Sequence, residues 1–337
     1  MNLAPYAANV AFIWAAVIFY RTNHYYLDFL KPQTQEVLFA LASAYTILGF
    51  IYYLAFPQMI TPNNKSTIVL RTLKRLLIHS HTYIKNIGRN PRQPLPKISD
   101  YERTSLLFMI VKLLYIPMMI NFFFGNLWEV NNFYALLTTG TSLDIHTFNE
   151  IIAPILIYLF LMIDSLFFAF GYCFEASFLK NNVKSVEPTF LGWAVALVCY
   201  PPFNNLFSQF AVWFPDNLAR FPTEPQTFLL RIGVVTMYGI YLWASLGLFT
   251  KCSNLTNRGI VSAGPYRYIR HPAYIAKNLA WWLTLLPMMN FTVFMNMIVW
   301  SFIYYSRAIT EEIHLIKDPE YQEYCKEVRH RFIPYIW

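Results

Sequence analysis

The residues of this chain able to do chemistry lie in two polar stretches near its C-terminal end. One closes on RHPAY at positions 270–274; the other runs from Ser306 as SRAITEEIHLIKDPEYQEYCKEVRHRFIPYIW. Pro272 suits the first turn of a helix, where its missing N–H costs nothing. His271 then sits at a helix entrance whose free N–H groups attract a carboxylate or phosphate, and Arg270 adds a fixed positive charge. A lipid-headgroup anchor capping a helix is the plainer reading of the same residues. In the second stretch Arg307 and Glu311 stand four apart and share a helix face, with Glu312 turned about 100° away. Taken alone, that is an ordinary ion pair. His314, seven positions after Arg307 and on roughly the same face, is the one candidate there for a base.

Two short apolar arms, Ala273–Leu286 and Phe291–Tyr305, separate these stretches and are joined by the tight turn Pro287–Asn290. The arms are therefore antiparallel neighbours, and Arg307 and Glu311 return to the side of Arg270–Tyr274. A positive helix entrance, an arginine, a carboxylate and two tyrosines, Tyr266 and Tyr274, then surround one pocket. Asp318-Pro319 starts a last helix with Tyr321, Tyr324 and Val328 on one face, a candidate lid. A zwitterionic, ring-bearing cofactor suits such a pocket, with its carboxylate at the helix entrance, its amine or ribose at Glu311 and its ring on Tyr266 or Tyr274. S-adenosylmethionine fits that description, and so do other cofactors.

The elements that must position these groups are membrane helices. The 337 residues are 56% hydrophobic and 13% charged, against about 25% charged in a soluble domain. Several segments approach the roughly 20 residues that a bilayer core requires. The expected fold is all-α, a polytopic helical membrane protein of about eight spans. These are Ala7–Tyr20, Glu36–Phe56, Arg103–Phe124, Ile151–Tyr172, Phe190–Phe203 (interrupted by CYPPFNN and open to a re-entrant reading), Thr227–Phe249 and the two arms. No signal peptide is expected, since Met1–Pro5 lacks a basic n-region. The polar stretch Pro57–Glu102 holds Lys65, Arg71, Lys74, Arg75, Lys85, Arg89, Arg92 and Lys97, and STIVLRTLKRLLIHSHTYI within it reads as an interfacial amphipathic helix broken at PRQPLPKISD. Gly125–Glu150 has no Lys or Arg and marks the outer side. With the basic stretch inside, both termini are cytoplasmic. Three basic residues (Arg21, Lys31, Arg220) then fall outside, two (Lys112, Arg231) within spans, and the other 21 of 26 inside. The net charge of +8 thus reflects orientation and anionic lipid rather than nucleic acid. Intramembrane Lys112 and Asp164 are open to mutual pairing or to a substrate role, and Arg231 is expected to snorkel outward. The cysteines Cys173, Cys199, Cys252 and Cys325 have no metal-ligand spacing and read as packing residues; no metal is expected.

GPYRYIRHPAY, a short hairpin and EEIHLIKDPEYQEYCKEVRHRFIPYI together resemble isoprenylcysteine carboxyl methyltransferase and its bacterial and phospholipid-methylating relatives. The likeness covers roughly Lys251–Trp337 with the sixth span, and divides the chain into an N-terminal region, 1–226, and a methyltransferase-like region, 227–337. It implies S-adenosylmethionine-dependent methyl transfer to a lipid-like or prenylated acceptor at the cytoplasmic membrane face. Carried over by position, Arg258, Gly259, Ile260 and Val261 resemble a cofactor-binding loop and Tyr266 the aromatic before the motif. His271, Pro272, Ala273 and Tyr274 match the HPxY cofactor segment, Glu311 the cofactor-binding glutamate, and Arg307 the arginine facing the acceptor. Ala276-Lys277 departs from the Gly-Trp or Gly-Glu of relatives, which leaves the acceptor open among carboxylate, amine and thiol. Sterol and steroid reductases, which use a nicotinamide cofactor, resemble the same pattern and give one alternative. A non-enzymatic lipid-binding protein that kept the hairpin gives another.

Overall fold

Proline stands in the first turn of several long apolar helices, as Pro5, Pro32, Pro154 and Pro225, because the first N–H groups of a helix lack intrahelical partners in any case. The computed structural model describes residues 3–56, 64–86, 96–138, 142–214 and 218–334, and 76% of the described residues are helical. Two compact units, 1–121 and 122–337, divide it.

The first unit contains α1 (Ala4–Thr22), α2 (His24–Phe29), α3 (Pro32–Ala55), α4 (Lys65–Asn86) and the first part of α5 (Asp100–Leu137). Asn121 ties its core: Oδ1 accepts from Lys31 N at 2.7 Å and Thr34 Oγ1 at 3.0 Å, and Nδ2 donates to Phe29 O at 3.0 Å. The start of α3 and the end of α2 are thereby fixed to one buried amide. As expected, α4 is amphipathic, with Leu70, Leu73, Leu77, Ile78 and Ile84 all exposed. Arg89, Arg92 and the opening of PRQPLPKISD lie outside the described residues. Lys112 is within 4.9 Å of the Phe108 ring centroid.

The second unit carries the rest: α6 (Ile145–Thr147), a π-turn over Phe148–Ile152, α7 (Ala153–Cys173), α8 (Phe190–Leu197), α9 (Phe203–Phe207), α10 (Glu224–Leu248), α11 (Pro272–Leu285), α12 (Phe291–Leu315) and α13 (Pro319–Glu327). Its core joins Ile157 of α7, Leu230, Val234, Tyr238 and Tyr241 of α10, and Ala276 and Ala280 of α11. The two alanines, spaced four apart and 1% and 0% exposed, let α10 and α11 approach closely, as small residues do between membrane helices. Gly171 serves a similar end. A Cβ there would stand 2.1 Å from the Cys252 carbonyl oxygen, so only glycine admits the turn that follows α10 against α7. Asn290 caps α12, its side chain accepting from Val293 N at 3.0 Å, and so makes the sharp hairpin turn.

Among the described residues, four helices are long and apolar enough to cross a membrane: Pro32–Ala55, Asp100–Leu137, Ile145–Cys173 and Glu224–Lys251. They contain the second, third, fourth and sixth expected spans. The chain is a polytopic helical membrane protein; among the described residues the full-length spans are fewer than the eight expected, and for the fifth span and the two arms the cause is physical. The expected fifth span stops at Leu197 after eight residues, about 12 Å of helix, before the CYPP sequence. The first hairpin arm, α11, has 14 residues, about 21 Å. The second arm continues through Tyr305 to Leu315 as one helix whose last turns are polar. Arg231 does not snorkel: it is 1% exposed, with Nη2 donating to Leu218 O at 2.8 Å and Nε to Asn149 O at 3.3 Å. Asp164 accepts from Tyr241 Oη at 2.8 Å and Ser245 Oγ at 2.5 Å.

Candidate functional site

The loop between α10 and α11 is held open by its own side chains and by the tail. Arg258 turns inward, donating from Nη1 to Asn181 O at 2.9 Å and from Nε to Ser253 Oγ at 3.0 Å; burial pulls its guanidinium below the usual arginine range. Gly259 adopts φ +92°, a conformation glycine takes without steric cost, and Ile260 packs beside Tyr321, Tyr324 and Val328. A two-residue ladder, Ser185 opposite Asn257 and Val186 opposite Thr256, brings the 185–187 segment alongside the loop.

The tail then closes over the helix entrance. Asp318 caps α13 through Glu320 N at 3.1 Å and accepts from Asn257 Nδ2 at 2.8 Å and Lys184 Nζ at 3.1 Å. Burial would raise that carboxyl, but these hydrogen bonds hold it below the usual range. Tyr324 Oη donates to Tyr266 O at 2.7 Å. Arg270 N and His271 N donate to His330 O and Arg331 O, both at 2.9 Å. One N–H expected to be free at the helix entrance is thus already satisfied by the tail.

The adjacent glutamates diverge as their 100° separation requires. Glu312, 7% exposed, points into the protein and joins three basic side chains: Arg331 at 2.8 Å, His271 at 3.1 Å and Arg270 at 3.2 Å. Burial raises its carboxyl and these partners more than offset that, leaving it below the ordinary glutamate value. A carboxyl depressed on folding stabilises the fold above its unfolded pKa and loses that contribution as pH falls through the folded one. Glu312→Gln is therefore expected to lower the melting temperature at pH 7. The gap from the unsubstituted protein should narrow steadily in melts taken below about pH 4.5, near the ordinary glutamate pKa. A gap constant with pH would separate Glu312 from this role.

Glu311, exposed, faces the other way and accepts from Tyr274 Oη at 2.8 Å. Arg307 does not turn to Glu311. Its Nη2 donates to Asn254 Oδ1 at 2.9 Å, and its guanidinium carbon stands 5.3 Å from the Tyr274 and Tyr304 ring centroids and 5.6 Å from that of Tyr200. His314 Nε2 lies 2.9 Å from Ser185 Oγ and its Nδ1 3.8 Å from Glu187 Oε2. Burial lowers the His314 pKa against the opposing pull of Glu187, so the ring is neutral near pH 7.

One cavity unites Tyr266, His271, Ala273, Tyr274, Arg307 and Glu311. Arg258, Gly259, Ile260, Val261 and Pro272 stand outside its lining and shape the loop and helix that bound it. Arg270 and His314 also line the cavity, and further wall comes from residues that the sequence reading did not assign to the site, among them Phe168, Glu187, Tyr200, Tyr241, Asn254 and Lys277. Only Lys277 carried a signal, as a departure from the resembled pattern. The arrangement offers a carboxylate and tyrosines for a polar, ring-bearing cofactor, and a desolvated arginine beside them for a second ligand.

No curated protein matches the chain in a comparison of sequences. A family model does: residues 227–320, from α10 through the start of α13, match the phospholipid methyltransferase family, whose members take S-adenosylmethionine as methyl donor and a lipid as acceptor. The C-terminal part of this chain therefore carries a phospholipid methyltransferase family domain.

Proposed function

We propose that this protein transfers a methyl group from S-adenosylmethionine to a lipid-like or prenylated acceptor at the cytoplasmic membrane face, in a reaction resembling isoprenylcysteine carboxylate O-methylation. The observation that carries the reading is the shared cavity of Glu311 and Arg307. Glu311 presents an accessible carboxylate braced by Tyr274, and Arg307, 7% exposed, presents a cation whose hydrogen-bond partner is the neutral Asn254.

These residues suit the donor's mixed chemistry. Glu311 and Tyr274 are placed to take its amine or ribose, Tyr266 to take its ring, and the helix entrance at His271 and Ala273 to take its carboxylate. Once bound, the donor supplies a methyl already activated on a sulfonium. The protein's task is then mainly to align an in-line attack. Arg307 holds the acceptor's carboxylate among three tyrosine rings that exclude water, and a carboxylate needs no general base. The family match at residues 227–320 supports a methyl donor over the nicotinamide cofactor of the resembling reductases.

Calorimetric titration of the detergent-purified protein with S-adenosylmethionine and with NADPH tests the reading. Saturable binding of the first and no heat from the second is expected, followed by label transfer from methyl-labelled donor into membrane lipid extract. NADPH binding in its place would make the protein a reductase.

A further inference from the structure

Three sides of α4 differ in what they present. Its 22 residues carry five basic side chains, Lys65, Arg71, Lys74, Arg75 and Lys85, and no acidic one. One side is fixed to the first unit. Ile68, Val69 and Thr72 are buried there, and Glu102, at the start of α5, accepts from Thr72 Oγ1 at 3.0 Å and from Arg75 Nη2 at 2.9 Å. Asn64 holds the helix start, donating from Nδ2 to Pro5 O at 2.9 Å and accepting from Thr67 N at 2.8 Å. These bonds decide which residues α4 turns outward.

The second side is an apolar stripe. At about 100° per residue, Leu70, Leu73, Leu77 and Ile84 fall within about 60° of arc, and they range from 40% (Leu73) to 70% (Leu77) exposed. The third side is basic and borders that stripe. Lys74 and Lys85 stand about 60° and 80° round from Leu77, with Arg71 beyond them, and all three are exposed. The helix is itself no candidate span, but it joins α3 to α5, which both are. Its place is therefore the membrane face where α3 ends and α5 begins. A row of leucines bordered by lysines is the pattern of a helix lying in the interfacial plane, its apolar side at the acyl boundary and its lysine stems reaching up to the headgroups. Leucines alone would suit any bilayer. Cations along the stripe's edge, in a helix without a carboxylate, are complementary to an anionic one.

We propose that this face of α4 docks on the anionic headgroups of the bilayer that holds the protein. Leu70, Leu73, Leu77 and Ile84 enter the acyl boundary, and Lys74 and Lys85 pair with lipid phosphates at its edge. The surface goes beyond the methyl-transfer reading: its residues belong to the first unit and none of them lines the cavity, so lipid is met here as surroundings and not as acceptor.

The test is hydrogen–deuterium exchange of the full-length protein in nanodiscs, one copy to a disc, made of phosphatidylcholine alone or of an equal mixture with phosphatidylglycerol. Amides of α4 that exchange through a detached state do so in proportion to its population. Each lysine at an anionic surface contributes about fivefold, so residues 70–85 are expected to exchange about twentyfold more slowly in the anionic discs. Raised salt should remove the difference. Lys74→Gln combined with Lys85→Gln should bring exchange in the anionic discs close to the neutral value, whereas Leu73→Ser combined with Leu77→Ser should speed it in both. Lysines with a purely structural role would change exchange equally in the two lipids. Peptides of α10 report whether each variant is folded. Equal exchange of residues 70–85 in neutral and anionic discs would overturn the proposal, as would a difference that survives high salt or that persists in the double lysine variant. Slowing seen only in vesicles that hold several copies would assign the face to a second copy and overturn it too. Should the double lysine variant fail to fold, the two single substitutions and the lipid and salt series on the unsubstituted protein decide. No readout here depends on methyl transfer, so failure of S-adenosylmethionine to bind would count against that reading alone.

Discussion

Arg307→Leu is expected to cut methyl transfer by about 10²–10³-fold, the range found when a preorganised charge-stabilising donor is removed, while S-adenosylmethionine still binds. Leucine fills part of the space between Tyr200, Tyr274 and Tyr304 but offers the acceptor no charge. Arg307→Lys keeps the charge on a shorter, non-planar head that cannot both stack among the rings and donate to Asn254. A loss of about tenfold is expected for it, intermediate between the two. Asn254→Ala removes the hydrogen bond that orients the guanidinium together with the 3.2 Å bond from Asn254 Nδ2 to Tyr200 Oη, each worth about 1 kcal/mol. It should lower the rate by several-fold through turnover rather than through donor binding. Single-turnover rates at saturating donor, with the donor Kd measured on the same variants, separate these effects. Full activity in a folded Arg307→Leu protein would remove the arginine from the acceptor's site.

The gradient from leucine to lysine rests on geometry that the sequence displayed only in part. RHPAY, the short arms and the double glutamate were enough to predict that Arg307, Glu311, Tyr274 and Tyr266 meet, because a tight hairpin leaves its ends no other place to go. The partner of Arg307 was not legible. A four-residue spacing points to Glu311, yet the guanidinium turns to Asn254, which sits in a loop whose path depends on Gly171 and on a two-residue strand pairing with Ser185 and Val186. Contacts across such distances in the chain leave no periodic trace.

The same reason explains the missed wall of the cavity. Glu187 and Tyr200 lie in a stretch that reads as an interrupted apolar segment, and nothing in its local pattern says that it faces the hairpin. Arg231 shows the converse failure. An arginine near the end of an apolar helix reads as a residue reaching for water, but the carbonyls of Asn149 and Leu218 satisfy it inside the protein. Span counting failed where helix length, not hydropathy, was decisive: α8 is apolar throughout, yet has eight residues. The two adjacent glutamates were told apart correctly by helical phase alone, and that separation leads to the second large effect.

Glu311→Ala is expected to weaken S-adenosylmethionine binding by about 10- to 100-fold, since a hydrogen bond to a charged group contributes roughly 1.5–3 kcal/mol. The exposed position of Glu311 places the expectation toward the lower end, because solvent screens the charge. Glu311→Gln keeps the shape and loses the charge, so a comparable loss in both variants assigns the effect to the carboxylate. Tyr274→Phe keeps the carboxylate and removes the 2.8 Å bond that braces it, for which a loss of about fivefold corresponds to about 1 kcal/mol. Glu312→Ala provides the contrast, because its carboxylate faces Arg270, His271 and Arg331 and never reaches the cavity. It should lower the melting temperature and change donor affinity far less than Glu311→Ala does. Donor titrations on the four variants, each checked by thermal melting, resolve the pair. If Glu312→Ala rather than Glu311→Ala abolished binding at equal stability, the cofactor would lie under the tail, on the side of the helix entrance that the tail now covers.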